Sequence, residues 1–148
     1  MKTNREPSVS FQSSIRDLYK NSVVRSMKDI EHHKNVSCFE HSIKVAYNSY
    51  KIAKKFNLDY VSAARGGFLH DFYLYDWHEK GSHQGLHGFN HSKIALHNAQ
   101  SITELNKKET DIIRKHMWPL NLVFPRYRES WIVTFVDKAT TLKEIVHF

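Results

Sequence analysis

The chain has 148 residues, of which 41% are hydrophobic, and this is the size and apolar content of one domain with a single core. No apolar stretch approaches the roughly 20 residues that a membrane-spanning helix needs, so we do not expect a membrane protein. Because the only cysteine is Cys38, an internal disulfide is excluded, and since no apolar leader is evident we expect a cytoplasmic protein. The net charge of +7 either favours binding of anionic partners or reflects a basic surface without a specific partner.

The first part of the chain is predicted to contain an N-terminal arm and two helices. Residues 1–10 are polar and aperiodic, so we expect a flexible arm, followed by one domain over residues 11–148. Apolar residues recur at steps of three and four through residues 11–30, which predicts one amphipathic helix. A second helix is predicted from Ser37, a capping residue, to about Phe56.

Four more helices are predicted after this point. Asp59 can cap a third helix whose residues are small or apolar nearly all round, as expected for a central element. Residues 75–88 contain glycines among polar and aromatic residues and form a predicted loop, and loops of this length are often functional. The remaining helices are predicted over residues 90–102, 107–117 and 129–146. Since alternation typical of strands is missing, we predict an all-α, single-domain bundle of about six helices.

The last predicted helix carries an apolar stripe. The stripe comprises Trp131, Ile132, Phe135, Val136, Ala139, Leu142 and Ile145. By the usual rule that a helix turns its apolar stripe toward the core, we expect these side chains to be buried. Asp137 lies on the same helix.

Histidine is unusually abundant, and eleven histidines against one cysteine favour imidazole-based metal chemistry over thiolate-based structural zinc. Six potential metal ligands lie in or beside the predicted helices: His41, His70, Asp71, His91, His116 and Asp137. The pair His70-Asp71 is by itself more typical of a buried histidine held by a polar neighbour. The other four residues favour a metal, because each lies in an apolar context where a buried polar group is costly. His32 and His33 are expected to be surface or partly buried residues.

The order of these residues resembles that of the HD superfamily of metal-dependent phosphohydrolases. The matching segments are His41 with Val45 and Ala46, Phe68-Leu69-His70-Asp71, His91 with Ala95, Ile112-Ile113-Arg114-Lys115-His116, and Phe135-Val136-Asp137-Lys138. They cover about two-thirds of the chain and resemble a small, single HD domain with the six-residue ligand set.

The resemblance implies a site for two divalent ions. The implied ligands are His41, His70, Asp71 and Asp137 for one ion, and His91 and His116 for a second ion, with Asp71 bridging the two. It also implies hydrolysis by a bridging hydroxide, since paired cations stabilise both the attacking and the leaving oxygens. Iron, manganese, cobalt, nickel and zinc all suit such a ligand set. A site with one ion, in which His91 and His116 only position the substrate, stays open.

The groups that hold the phosphate and donate a proton are less clearly marked. Many two-metal relatives have a lysine three residues after the HD aspartate, and this position is Leu74 here. By charge and position the candidate phosphate-binding residues are Lys93, Lys138, Arg126 and Arg128, and the alternative for each is a solvated surface cation. Asp76 is the candidate general acid, so that Asp71 and Asp76 are the predicted catalytic carboxylates.

The predicted function is cleavage of a phosphate ester or anhydride in a small, nucleotide-like substrate. Trp77 and Trp118 are candidates for stacking on a nucleobase, with core packing as the alternative. The alternative function is a degenerate HD domain that binds a nucleotide or RNA as a sensor, although an intact six-residue set argues against degeneracy. We expect no membrane partner, and we do not favour nucleic acid as a partner. Whether the protein forms a homodimer, which metal it binds and which substrate it cleaves stay open.

Overall fold

Seven α-helices and one short hairpin make up the described part of the chain, which is residues 9–33, 35–75 and 87–146 of a computed structural model. The helices are α1 (Phe11–Lys20), α2 (Ser22–Arg25), α3 (Cys38–Lys55), α4 (Tyr60–Leu69), α5 (His87–Ile102), α6 (Lys107–Lys115) and α7 (Arg128–Val146). The strands β1 (Glu31–His33) and β2 (Val36–Ser37) pair antiparallel. The predicted all-α, single-domain fold is confirmed, with seven helices where about six were expected. Among these helices, none combines the length and the apolar character that crossing a bilayer requires.

The prediction of one continuous first helix over residues 11–30 is wrong, because the chain bends at Asn21. This residue has extended backbone angles (φ −70°, ψ 126°), and its side chain accepts hydrogen bonds from the N–H groups of Val23 and Val24. Asn21 therefore starts α2, which a 3₁₀ turn over Ser26–Asp29 continues. The apolar stripe survives the bend, since both sides of it contribute buried side chains to the core. Residues 1–8 of the predicted arm lie outside the described residues.

A short hairpin that the sequence did not predict precedes α3. The paired residues are Glu31 with Ser37 and His33 with Val36. The backbone N–H of Cys38 donates to the carbonyl oxygen of Ile30 at 2.8 Å, which joins the hairpin to the first residue of α3. The hairpin therefore holds residues 31–33 beside the N-terminal end of this helix.

Helices α3 and α4 lie at the centre of the fold and begin where the sequence predicts. Ser37 Oγ accepts a hydrogen bond from the N–H of Glu40 at 3.1 Å, as an N-cap should. Asp59 caps α4 in the same way, accepting from the N–H of Ser62 at 3.0 Å. Helix α4 is buried on nearly all sides, which confirms it as the predicted central element.

Two glycines in α4 let neighbouring helices approach it closely. A Cβ atom at Gly67 would lie 3.1 Å from the Cα atom of Ala46 in α3. A Cβ atom at Gly66 would lie 2.8 Å from Cδ1 of Ile112 in α6. Both distances are tighter than ordinary Cβ contacts, so glycine at these positions sets the spacing of α4 against α3 and α6.

The predicted buried stripe of α7 is largely wrong, because the helix turns a mostly polar face inward. Of the stripe, Val136 is buried and Trp131 and Ile132 are half-buried, whereas Phe135, Ala139, Leu142 and Ile145 are exposed. The buried residues of α7 are Glu129, Ser130, Val133, Thr134, Val136, Asp137, Thr140 and Glu144. Several of the polar ones have polar partners inside the protein: Ser130 Oγ donates to Asp111 Oδ2 at 2.6 Å, and carboxylate oxygens of Asp137 and Glu144 lie beside the two ring nitrogens of His41. The inward face of α7 thus combines six polar residues with Val133 and Val136, which pack on Val45 and Ile112, and the usual orientation rule fails here.

Candidate metal centre

The structure brings the six predicted metal ligands together, and all six are buried. His41 lies in the first turn of α3, His70 and Asp71 directly follow α4, His91 lies near the start of α5, His116 follows α6, and Asp137 lies in α7. Ligands in, or directly after, five helices therefore meet in one place. The site forms two groups that share Asp71.

The first group consists of His41, His70, Asp71 and Asp137, whose ligand atoms all lie within 4.8 Å of one another. Asp137 Oδ1 lies 2.8 Å from His41 Nε2 and 3.1 Å from His70 Nε2. Asp71 Oδ2 lies 3.2 Å from His70 Nε2 and 3.7 Å from His41 Nε2. Two imidazoles and two carboxylates therefore converge on a small, water-excluded volume.

The second group consists of Asp71, His91 and His116. The Nε2 atoms of the two histidines lie 2.9 Å apart, and each lies 3.4 Å from Asp71 Oδ1. Asp71 thus directs Oδ2 to the first group and Oδ1 to the second. A carboxylate in this position could contact an ion in either group.

The hydrogen bonds of three imidazoles test whether the donor set fits a metal. Nδ1 of His70 donates to the carbonyl oxygen of Gly67 at 2.6 Å, and Nδ1 of His116 donates to that of Ile113 at 2.9 Å. Nδ1 of His41 lies 2.6 Å from Glu144 Oε1 and donates to it. In a neutral imidazole this leaves the Nε2 lone pair free to bind a metal, so each ring is oriented as a ligand.

A bound cation would also remove the repulsion between hydrogen-bond acceptors that face one another in the cluster. The Nε2 lone pairs of His41 and His70 face carboxylate oxygens, and the Nε2 lone pair of His116 faces Nε2 of His91. Without added protons these atoms repel one another, and a divalent cation within a group would satisfy the acceptors of that group together. The residues present therefore fit one or two divalent transition metal ions.

The two groups differ in their electrostatics. Burial alone would lower the pKa of His41 and His70, but the carboxylates around them raise both, that of His41 to about 9. Burial lowers the pKa of His116, and the neighbouring imidazoles lower it further. Burial would raise the pKa of Asp71 and Asp137, but the adjacent imidazoles, His70 foremost, hold both well below the usual range. Both carboxylates are therefore ionised at neutral pH.

Sequence reasoning missed Glu144, which holds His41 from the side opposite the cluster. Its side chain is buried, and besides the contact with His41 its Oε2 atom lies 3.7 Å from His33 Nε2. Glu144 follows Asp137 by seven residues, which is two helical turns on the same face. This spacing was the signal that could have revealed it.

The role of His32 was also missed. Its Nε2 atom lies 3.1 Å from Asp71 Oδ2, and its ring stacks on that of His41 with centroids 3.8 Å apart and planes 11° apart. A cation in the plane of His41 would lie far outside the parallel plane of His32, so the two rings cannot bind one ion in this arrangement. His32 is instead placed to hydrogen-bond the Asp71 carboxylate. The same stacking argues against a separate metal site at His32, His33 and His41, whose ligand atoms are also close together.

A cavity of about 720 Å³ opens beside the cluster. Its polar lining residues are His32, Asp71, His91, Asp137, Lys138 and Thr141. The ammonium group of Lys138 donates to the carbonyl oxygen of His116 at 3.0 Å, which holds the cation at the edge of the cluster. Of the four predicted phosphate-binding residues, Lys138 is the one that lines this cavity.

The other predicted substrate-binding residues lie elsewhere or outside the described residues. Lys93 and Arg128 are exposed, and Arg126 lines a separate cavity, where its backbone N–H donates to Asp111. Trp118 packs between Phe124 and Trp131 in an aromatic cluster. Leu74, at the position where many two-metal HD phosphohydrolases have a lysine, packs against the hydrophobic core. Asp76 and Trp77 lie outside the described residues.

Comparison with known proteins gives no further assignment. No protein-family model, no curated protein and no solved structure matches this chain. What stands on the geometry is a buried His/Asp cluster that could hold metal ions and is compatible with a metal-dependent hydrolase. Any finer assignment has to be inferred from the site itself.

Proposed function

We propose that the protein is an HD-type, metal-dependent phosphohydrolase with a two-ion centre. The observation that supports this most directly is the position of Asp71, whose two oxygens face two separate groups of imidazole nitrogens. The resemblance to HD phosphohydrolases and the agreement of all six matched positions in space support the same conclusion. When bound, two divalent cations supply a nucleophile at neutral pH and stabilise the attacking and leaving oxygens.

The residues of the chain prepare the site for this chemistry. Glu144 and the carbonyl oxygens of Gly67 and Ile113 orient the imidazoles through Nδ1, so that little rearrangement is needed on metal binding. His32 holds the Asp71 carboxylate from the cavity side. Burial of the cluster excludes bulk water and strengthens its interactions with charged groups.

Lys138 supports the choice of a phosphorylated substrate. Its ammonium group stands at the mouth of the site, next to Asp137 in sequence, and lines the cavity with Asp71 and His91. A phosphate oxygen directed away from the metal ions would meet this cation. Lys138 therefore supports a phosphate ester or anhydride as the substrate, and the resemblance to HD phosphohydrolases supports a small, nucleotide-like molecule.

Metal analysis combined with a substrate screen tests the proposal. The purified protein is reconstituted separately with Mn²⁺, Fe²⁺, Co²⁺, Ni²⁺ and Zn²⁺, its metal content is measured, and phosphate release from a panel of phosphorylated metabolites is followed. We expect bound metal and turnover, both lost in Asp71→Ala. A protein that binds no metal, or one that binds nucleotides tightly without hydrolysing any, would refute the proposal and favour the sensor alternative.

A further inference from the structure

The cavity beside the metal cluster has one charged end and one apolar wall. The wall consists of Met117, Pro119, Leu120, Leu142 and Ile145. The first three follow α6, and the other two lie in the last turns of α7. A substrate whose phosphate occupies the charged end would have this wall beside the rest of its structure.

The spacing along α7 sets the length of the wall. Lys138, Leu142 and Ile145 follow one another at steps of four and three residues, so their side chains share one face of the helix. From Lys138 to Ile145 this face extends about 10 Å, given the rise of an α-helix. The face therefore changes from a cation beside the cluster to hydrocarbon within the length of a small organic molecule.

The wall is more exposed than apolar side chains usually are. Leu142 is 62% exposed, Ile145 52% and Leu120 48%, although they adjoin a buried cluster of charged groups. Apolar surface next to a site is unfavourable in water and favours a ligand that covers it. Of the cavity lining that the structure describes on this side, Thr141 is the one hydroxyl group available to a polar leaving group.

We propose that the substrate carries an apolar body on its phosphate, and that this body packs on Leu120, Leu142 and Ile145. The inference rests on the proposed function for the phosphate end and adds the chemistry of the other end. An aryl or alkyl group satisfies it, and so does a nucleobase that presents its flat face. A sugar phosphate or other fully hydroxylated leaving group does not.

Binding of alkylphosphonates separates this inference from the question of turnover. These compounds carry a phosphate-like head group. It cannot be hydrolysed as an ester is, because carbon is bound directly to phosphorus where an ester has a bridging oxygen. Affinities of methyl- to octylphosphonate for the manganese-loaded protein are measured by calorimetry. We expect the dissociation constant to fall by up to about fourfold for each added methylene until the wall is covered, which is the gain for a fully buried methylene.

Variants of the wall identify where the chain binds. Leu142→Ser and Ile145→Ser should reduce the dependence on chain length and leave methylphosphonate affinity nearly unchanged. The matched control is Leu122→Ser, which removes an 83% exposed leucine that does not line the cavity. All three side chains are exposed, so folding should survive the changes. Octyltrimethylammonium, which has the chain without the anion, should not bind.

Two results would overturn the inference. One is an alkylphosphonate affinity that does not depend on chain length, or a chain-length dependence that is the same in Leu142→Ser and Ile145→Ser as in the control Leu122→Ser. The other is a change in oligomeric state of Leu142→Ser with unchanged chain-length dependence, which would assign the wall to contact between proteins. Chain-length dependence without hydrolysis of any ester would refute the proposed function alone, whereas hydrolysis without that dependence would refute this inference alone.

Discussion

The two halves of the candidate metal centre differ in charge and in the side chains that hold their histidines. The first half is the group of His41, His70, Asp71 and Asp137, and the second half is the group of Asp71, His91 and His116. The first half contains two carboxylates, and Glu144 adds a third from behind His41. Within the described residues, the second half has Asp71 as its one carboxylate, shared with the first, and two histidines, one near the start of α5 and one just after α6. The first half is therefore expected to bind a cation more tightly, since negative charge close to the ligands stabilises a cation most in a buried site.

Access to the cavity, by contrast, is similar for the two halves. Each half reaches the cavity through one residue of its own, Asp137 in the first and His91 in the second, and through the shared Asp71. The other three ligands, His41, His70 and His116, are buried and do not line it. The difference in charge therefore teaches that an ion in the first half would be held more firmly and one in the second half would exchange more easily.

The largest effect is expected from Asp71→Ala, because this residue belongs to both halves. Both ions should be lost, and kcat should fall by at least about 1000-fold, since paired metal ions contribute several kcal/mol to transition-state stabilisation. Metal analysis and phosphate release measure the two effects. Asp29→Ala, which removes an exposed carboxylate in the 3₁₀ turn, is the control. Retention of either ion by Asp71→Ala would contradict the bridging role.

Removal of the second half alone should cost one ion. In His116→Ala, and separately in His91→Ala, we expect the metal content to fall from two ions to one, with the tighter ion retained. His97→Ala, which removes an exposed histidine from α5, should keep two ions. If the unmodified protein holds one ion and both variants keep it, the second half positions substrate only and the comparison of two metal sites fails.

The protein without metal should lose stability as the pH rises through the alkaline range. The pKa of His41 is about 9 in the folded state and near 6.5 when unfolded, so its proton favours folding below about pH 6.5. This contribution, on the order of 3 kcal/mol, is lost as the pH rises through about 9. His116 has the opposite sign, because its lowered pKa makes protonation unfavourable in the folded state. Urea unfolding of chelator-treated protein at pH 6.5 and 9.5 measures the difference, and equal stabilities would contradict it.

The smallest effect is expected from Glu144→Gln, which keeps the shape of the side chain and removes its charge. Affinity for the tighter ion should fall 10- to 100-fold, as is typical when the partner of a metal-binding histidine is changed. Competition with a chelator of known affinity measures this change. The matched control is Glu104→Gln at an exposed position. An unchanged affinity would show that the charge of the Nδ1 partner has no effect, since the glutamine oxygen can still accept the hydrogen bond of His41.

Local signals in the sequence predicted the start of the two central helices and the residues that meet at the site. Ser37 and Asp59 act within one helical turn, so their capping could be inferred without knowledge of the fold. The six ligands were predictable as a set because each lies in or beside a periodic segment and in the order of a known pattern.

What could not be predicted depends on contacts across the fold. The stripe of α7 was assigned to the core because apolar residues usually face inward, but Asp137 and Glu144 bind histidines of α3 and α4 and so direct the polar face inward. The bend at Asn21 left the periodicity of the first helix intact. His32 reaches Asp71 only because the hairpin places it there, and a two-residue strand has too little pattern to be detected.

The contact at Gly67 connects the packing of the helices to the distances within the centre. A Cβ atom at this residue would lie 3.1 Å from the Cα atom of Ala46 in α3, while its carbonyl oxygen accepts the hydrogen bond of His70. His41 lies five residues before Ala46 in the same rigid helix. Glycine at this position thus sets the spacing of α3 against α4 and, with it, the distance between His41 and His70. An added methyl group there would separate the two histidines without altering any ligand.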